Sequence, residues 1–223
     1  MDFIDYADPD MLTLSLAREL SRDLRDALGR KDRVLFAVPG GTSPGPVFDL
    51  LAASDLDWDR VDVIPGDERW VPIDHPRSNA GQIRAHMLQD LAAKAHLLPL
   101  YRDAMTPEDA VERINADLAP LLPVDVALVG MGADMHTASL FPGSPQLKRA
   151  LADDAPAVMA ITAPGADEPR VTLTAPALKA AYALHVLIIG DEKQAVFNRA
   201  LKLPDMQAPI AAIIGQARVH WAP

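Results

Sequence analysis

Five segments of this 223-residue chain carry side chains that can do chemistry, at spacings that let them act together. The densest is Gly130-Met131-Gly132-Ala133-Asp134-Met135-His136. Asp134 and His136 stand two apart in a glycine-rich stretch. A neutral imidazole takes a proton from water near pH 7, and a nearby carboxylate fixes its tautomer and stabilises the imidazolium. The opening Gly-x-Gly begins like a dinucleotide fingerprint, but Met135 stands where the third glycine belongs, so an NAD reading is weak. A metal reading would join Asp134 and His136 to Asp67 or Glu68. No HExxH or comparable spacing supports it, so no metal site is assigned.

The other four segments are suited to anions. In Pro39-Gly40-Gly41-Thr42-Ser43-Pro44 the glycines let backbone approach a ligand, the hydroxyls add donors, and a following helix N-terminus favours negative charge. It is not a Walker A loop, because no Lys-Ser/Thr follows. An ordinary strand-to-helix turn would read the same way. In Gly66-Asp67-Glu68-Arg69-Trp70, Arg69 can grip a phosphate or an oxyanion bidentately; the plain alternative is an exposed turn with a weak Asp–Arg pair. Arg170 and Lys193 are each ordinary solvated cations when taken alone. With the first loop they would make a phosphate clamp. His75, His86, His96, His185 and His220 lack such context, and His185, in an apolar run, reads as a satisfied core residue.

The elements that must position these groups are legible from periodicity. Apolar residues at helical spacing from Leu12 to Leu28 follow Asp8-Pro9-Asp10, with Gly29 suited to the C-terminal cap. The spacing predicts helices through Val47 and Leu51, over 78–88 and over 191–201. Another opens at Thr106 (N-cap) and Pro107. Apolar runs predict strands at 34–38, 61–64, 124–129, 157–161, 170–174 and 183–189. This alternation implies βαβ units: an α/β, Rossmann-like fold with an open, largely parallel sheet and helices on both faces. Residues 1–223 read as one domain. In such sheets ligands bind beyond the carboxyl ends of the strands, so the loops after Val38, Ile64 and Val129 should converge on one pocket.

Composition narrows the classes. A net charge of -10 argues against nucleic-acid binding, which needs a basic face. With no cysteine there is no disulfide, thiolate nucleophile or Zn–Cys site. The acidic start MDFIDYADPD lacks the basic n-region of a signal peptide, and the longest apolar run is too short to span a bilayer. The expectation is a cytoplasmic protein with no membrane partner, monomeric or a small homo-oligomer.

Taken in order, VPGGTSP (38–44), GDERWVP (66–72) with SN (78–79), GMGADMHTASLFPG (130–143), RVTLT (170–174) and GDEK (190–193) resemble the 6-phosphogluconolactonase family, which shares a superfamily with glucosamine-6-phosphate deaminases. The deaminase branch typically carries Asp-Glu-Tyr where this chain has Arg69, and an acid where it has Phe141. Both differences favour the lactonase. The resemblance implies hydrolysis of 6-phospho-D-glucono-1,5-lactone to 6-phosphogluconate, in the pentose phosphate or Entner–Doudoroff route, without a cofactor. It implies His136 as general base, Asp134 as its orienter, Asp67 near the sugar hydroxyls or the water, and Arg69 on substrate or oxyanion charge. Gly40, Gly41, Thr42, Ser43, Arg170 and Lys193 would hold the phosphate. The rivals are a deaminase-isomerase and a non-catalytic phosphosugar-binding module. The family loop usually has glycine before the histidine; Met135 there would be costly at a positive φ.

Overall fold

The computed structural model describes residues 1–166 and 168–223. The chain begins with β1 (Asp2–Asp5), α1 (Pro9–Leu28), β2 (Val34–Val38) and α2 (Gly45–Ala52). Next come β3 (Val61–Pro65), β4 (Asp67–Arg69), α3 (Asn79–His86) and β5 (His96–Leu97). The middle holds α4 (Pro107–Leu118), β6 (Val126–Gly130), α5 (Leu147–Ala150) and β7 (Val158–Ile161). The last part holds β8 (Arg170–Leu173), α6 (Ala175–Lys179), β9 (Ala183–Ile189), α7 (Asp191–Ala200) and β10 (Arg218–Ala222).

Local chemistry sets the helix starts. The Asp8 carboxylate accepts from the Met11 N–H at 2.8 Å, with Pro9 in the first turn of α1. Thr106 and Ser78 cap α4 and α3 in the same way, accepting from the Asp109 and Gly81 N–H groups. Gly29 does follow α1, but with φ −71°, so its left-handed freedom is unused.

Seven strands form a sheet in the order β1-β10-β9-β6-β2-β3-β5, with every pairing parallel. The α/β expectation holds. Neighbouring residues of β2 point to opposite faces. Leu35 and Ala37 enter the core beneath α4–α7, and Phe36 and Val38 the core beneath α1–α3. Because helices cover both faces, β2 is buried throughout and reads as an unbroken apolar run. The strands expected at 157–161 and 170–174 lie elsewhere. They pair antiparallel with each other and with β4, in a separate sheet ordered β4-β8-β7. That small sheet carries Asp67, Arg69 and Arg170 over the end of the large one. No helix among the described residues is long and apolar enough to cross a membrane.

Candidate active site

β2 and β6 are neighbours, yet the chain runs from β2 toward β3 and β5, and from β6 toward β9 and β10. Their outgoing loops therefore part, leaving a crevice at the topological switch point. A cavity of about 380 Å³ opens there, a size suited to a small metabolite. Its walls include the 39–44 loop, Gly66, Gly130 and Gly132, so the three strand-end loops do converge.

His136 stands on the loop after β6, one-third exposed, with its Nδ1 against Asp134 Oδ1. Burial alone would raise the Asp134 pKa, but the hydrogen bond and charge of His136 outweigh it and hold the carboxyl below its ordinary range. Nδ1 is thereby committed, and Nε2 is left for a reacting group. Gly132 makes the pair possible: a Cβ there would lie 2.1 Å from His136 Nδ1 and 2.6 Å from Asp134 Oδ1. Met135 adopts φ +68°, the left-handed conformation that the family's glycine would meet without strain. Its side chain is buried in the core and its carbonyl accepts from the Ile210 N–H at 3.1 Å. The Phe141 ring packs on His136 with centroids 4.5 Å apart.

The Asp67-Glu68-Arg69 segment is a strand, not an exposed turn, so successive side chains diverge. Glu68 turns inward and is fully buried. It accepts from the N–H groups of Arg69, Asn79 and Ala80 at 2.7–2.9 Å and from Ser78 Oγ at 3.0 Å. Desolvation pushes its pKa up despite these donors. Glu68 is thus a structural anchor for the start of α3. Asp67 faces the cavity: its Oδ1 accepts from Asn79 Nδ2 at 3.1 Å, and its Oδ2 from Ser139 Oγ at 2.5 Å. The ligand set of Asp134 and His136 with Asp67 or Glu68 does not assemble. Among the described residues, only Glu19, His185 and His220 bring three candidate ligand atoms within 4.8 Å of one another.

Arg69 and Arg170 are direct partners in the β4–β8 register. Arg69 donates to the Arg77 carbonyl at 2.6 Å. Burial, and next the charge of Arg69, lower the Arg170 pKa. Buried polar groups normally find partners. Yet Arg69 Nε, Arg170 Nε and Asn79 Oδ1 are buried without one, and all three residues line the cavity. Two adjacent guanidiniums with unused donors have the chemistry to hold an anion. On another wall, Lys193 donates to the Met131 carbonyl at 2.6 Å. The Gly40–Ser43 loop leads into α2, whose first turn has no side-chain cap. A Cβ on Gly40 would lie 1.9 Å from Asn79 Oδ1, and Gly41 has φ +93°, so both glycines are required.

Residues 7–221 match the family model described as glucosamine-6-phosphate isomerases/6-phosphogluconolactonase. The chain belongs to this family. It is 40% identical over 212 residues to a 6-phosphogluconolactonase of Pseudomonas aeruginosa, covering 93% of this chain and 89% of that one. A 6-phosphogluconolactonase of Pseudomonas putida is 36% identical over 222 residues, covering 98% and 92%. The crystal structure of a 6-phosphogluconolactonase from Shewanella baltica superposes with a TM-score of 0.95 at 30% identity, covering 100% and 98%.

Every site residue expected from the family motifs borders this cavity except Asp134, which stands behind His136. Two contributors escaped the sequence: Asn79, quoted in the Ser-Asn motif without a role, and Ser139. Glu68 carried charge in the right segment but points away.

Proposed function

We propose that the chain hydrolyses 6-phospho-D-glucono-1,5-lactone to 6-phospho-D-gluconate, a step of the pentose phosphate pathway, with His136 as general base. His136 Nε2 takes a proton from a water whose oxygen attacks the lactone carbonyl. The tetrahedral oxyanion collapses, the ring C–O bond breaks, and the imidazolium returns the proton to the departing ring oxygen. Asp134 holds the imidazole in the required tautomer and offsets its transient charge. Arg69 supports the charge on substrate or oxyanion, and Asp67 accepts from sugar hydroxyls. The Gly40–Ser43 loop, with Arg170 and Lys193, takes the phosphate. The catalytic unit is the whole of residues 1–223, working in the cytoplasm as a monomer or small homo-oligomer, with no cofactor.

The observation that carries this reading is His136, backed by Asp134, facing one cavity with the unused donors of Arg69 and Arg170. Phe141 packed on His136 weighs against the deaminase, whose motif has an acid at that position. The test is hydrolysis of fresh lactone by purified protein, measured above the spontaneous rate. His136→Ala should lower kcat about 100-fold or more with the thermal midpoint unchanged. Near-wild-type turnover in that variant sinks the assignment. Ammonia released from glucosamine 6-phosphate would restore the deaminase, and lactone binding without turnover the non-catalytic module.

A further inference from the structure

Ser139 lies three residues after the proposed base and is fully buried. Its two polar groups point to the small sheet. The N–H donates to Thr172 Oγ1 on β8 at 3.1 Å, and the hydroxyl donates to Asp67 Oδ2 on β4 at 2.5 Å. Asp67 and Thr172 are themselves cross-strand partners. The other carboxylate oxygen of Asp67 takes its donor from Asn79 at the start of α3. Donors from two different elements therefore fix the plane of one carboxylate, and its residue lines the cavity. An ionised carboxylate is acceptor-only. Held this way, it can read substrate hydroxyls in one orientation only.

We infer that Ser139 is a positioning residue for the reaction, acting through Asp67: the loop that presents His136 also sets the angle at which Asp67 meets the substrate. This rests on the reading above that Asp67 contacts the sugar. The loop does not depend on the hydroxyl for its own fold. The Ser139 N–H bond to Thr172 remains in an alanine variant, as do Thr137 Oγ1 to the Gly130 carbonyl at 2.9 Å and the Leu140 N–H to the Thr137 carbonyl at 2.9 Å. What Ser139→Ala removes is the donor to Asp67. Asp67 then keeps one tether and swings about its Cβ–Cγ bond.

The experiment is a double-mutant cycle in kcat and KM with Ser139→Ala and Asp67→Asn. Ser139→Ala alone should lower kcat/KM about tenfold, the scale of one hydrogen bond to a charged group. In the Asp67→Asn background the same change should cost less than about twofold, because the carboxylate that Ser139 orients toward the substrate is gone. A loss from general loosening of the loop would persist in both backgrounds. An equal tenfold loss in each overturns the inference, as does a Ser139→Ala enzyme as active as wild type when Asp67→Asn is impaired. If instead Asp67→Asn is itself as active as wild type, the Asp67 reading fails, which is a different result. Should Ser139→Ala not fold, Ser139→Cys fills the same volume with a weak donor and is run through the same cycle.

Discussion

Met135 carries a conformational cost next to the proposed base. A side chain at φ +68° is strained by roughly 1 kcal/mol, and glycine would relieve it. The chain keeps methionine because its side chain is 4% exposed in the core, where loss of a buried Met costs about 2–5 kcal/mol. Both Met135→Ala and Met135→Gly should therefore destabilise. Their order is diagnostic: glycine is ordinarily the worse residue by about 0.5–1 kcal/mol, but here Met135→Gly should be the more stable of the two. Urea unfolding of both variants decides it, and the ordinary order would mean the φ is not strained. The same scale shows what the sequence could reveal. Asp134 and His136 announce themselves by a two-residue spacing in a glycine-rich loop. Ser139 meets Asp67 across 72 residues, so no local pattern marks it. Glu68 figured only in a metal alternative and in a segment that could have been an exposed turn, because residue type does not report which way a strand side chain turns.

At the scale of elements, strands with an apolar run were legible even at four residues, as β7 and β8 were, while the exposed, shortest and polar-interrupted ones were not. β1 is an exposed edge strand reading DFID, and β5 has two residues. In β10 the apolar run is broken by His220, which is nonetheless fully buried. That histidine belongs to a polar chain joining α1 to the sheet. Tyr6 Oη lies 2.9 Å from His220 Nδ1, His220 Nε2 2.9 Å from His185 Nδ1, and His185 Nε2 3.0 Å from Asp23 Oδ2. Burial favours neutral Asp23, but the bond to His185 and the charge of Arg218 outweigh it and keep the carboxyl low. With Asp23 ionised, His185 Nε2 is the donor in that bond. Every ring nitrogen of the two histidines is engaged, including those a metal beside Glu19 would need. Burial, then the charges of His185 and Arg218, drop the His220 pKa from 6.5 to about 3. The unfolded chain thus binds a proton between pH 6.5 and about 3 that the folded chain refuses. Stability should fall with acidification through that window by about 1.4 kcal/mol per pH unit. Asp23, depressed in the fold, adds a loss in the same direction below its ordinary value of 3.8. Urea midpoints from pH 7 to 4.5 test this. His220→Gln should flatten the slope, and a wild-type midpoint constant over that range refutes the relay.

At the scale of the whole molecule, a protein of net charge -10 is asked to bind a phosphorylated anion. Two fields of opposite sign act on that ligand, and they differ in range. The repulsive one comes from the whole chain, about 17 Å in radius of gyration. The attractive one comes from Arg69, Arg170 and Lys193 at the cavity wall. The Debye length is about 30 Å at 0.01 M salt, so there the substrate senses the entire acidic surface. At 0.15 M it is about 8 Å and only the pocket cations still act at full reach. Near 1 M it is about 3 Å, and they too are screened. KM should therefore pass through a minimum: a fall of about two- to threefold from 0.01 to 0.15 M, then a rise toward 1 M, with kcat nearly constant. The salt should be a chloride, because sulfate or phosphate would compete for the site itself. A KM that climbs steadily from the lowest salt would mean that the three cations govern the approach at every distance, and that the acidic surface has no part in it.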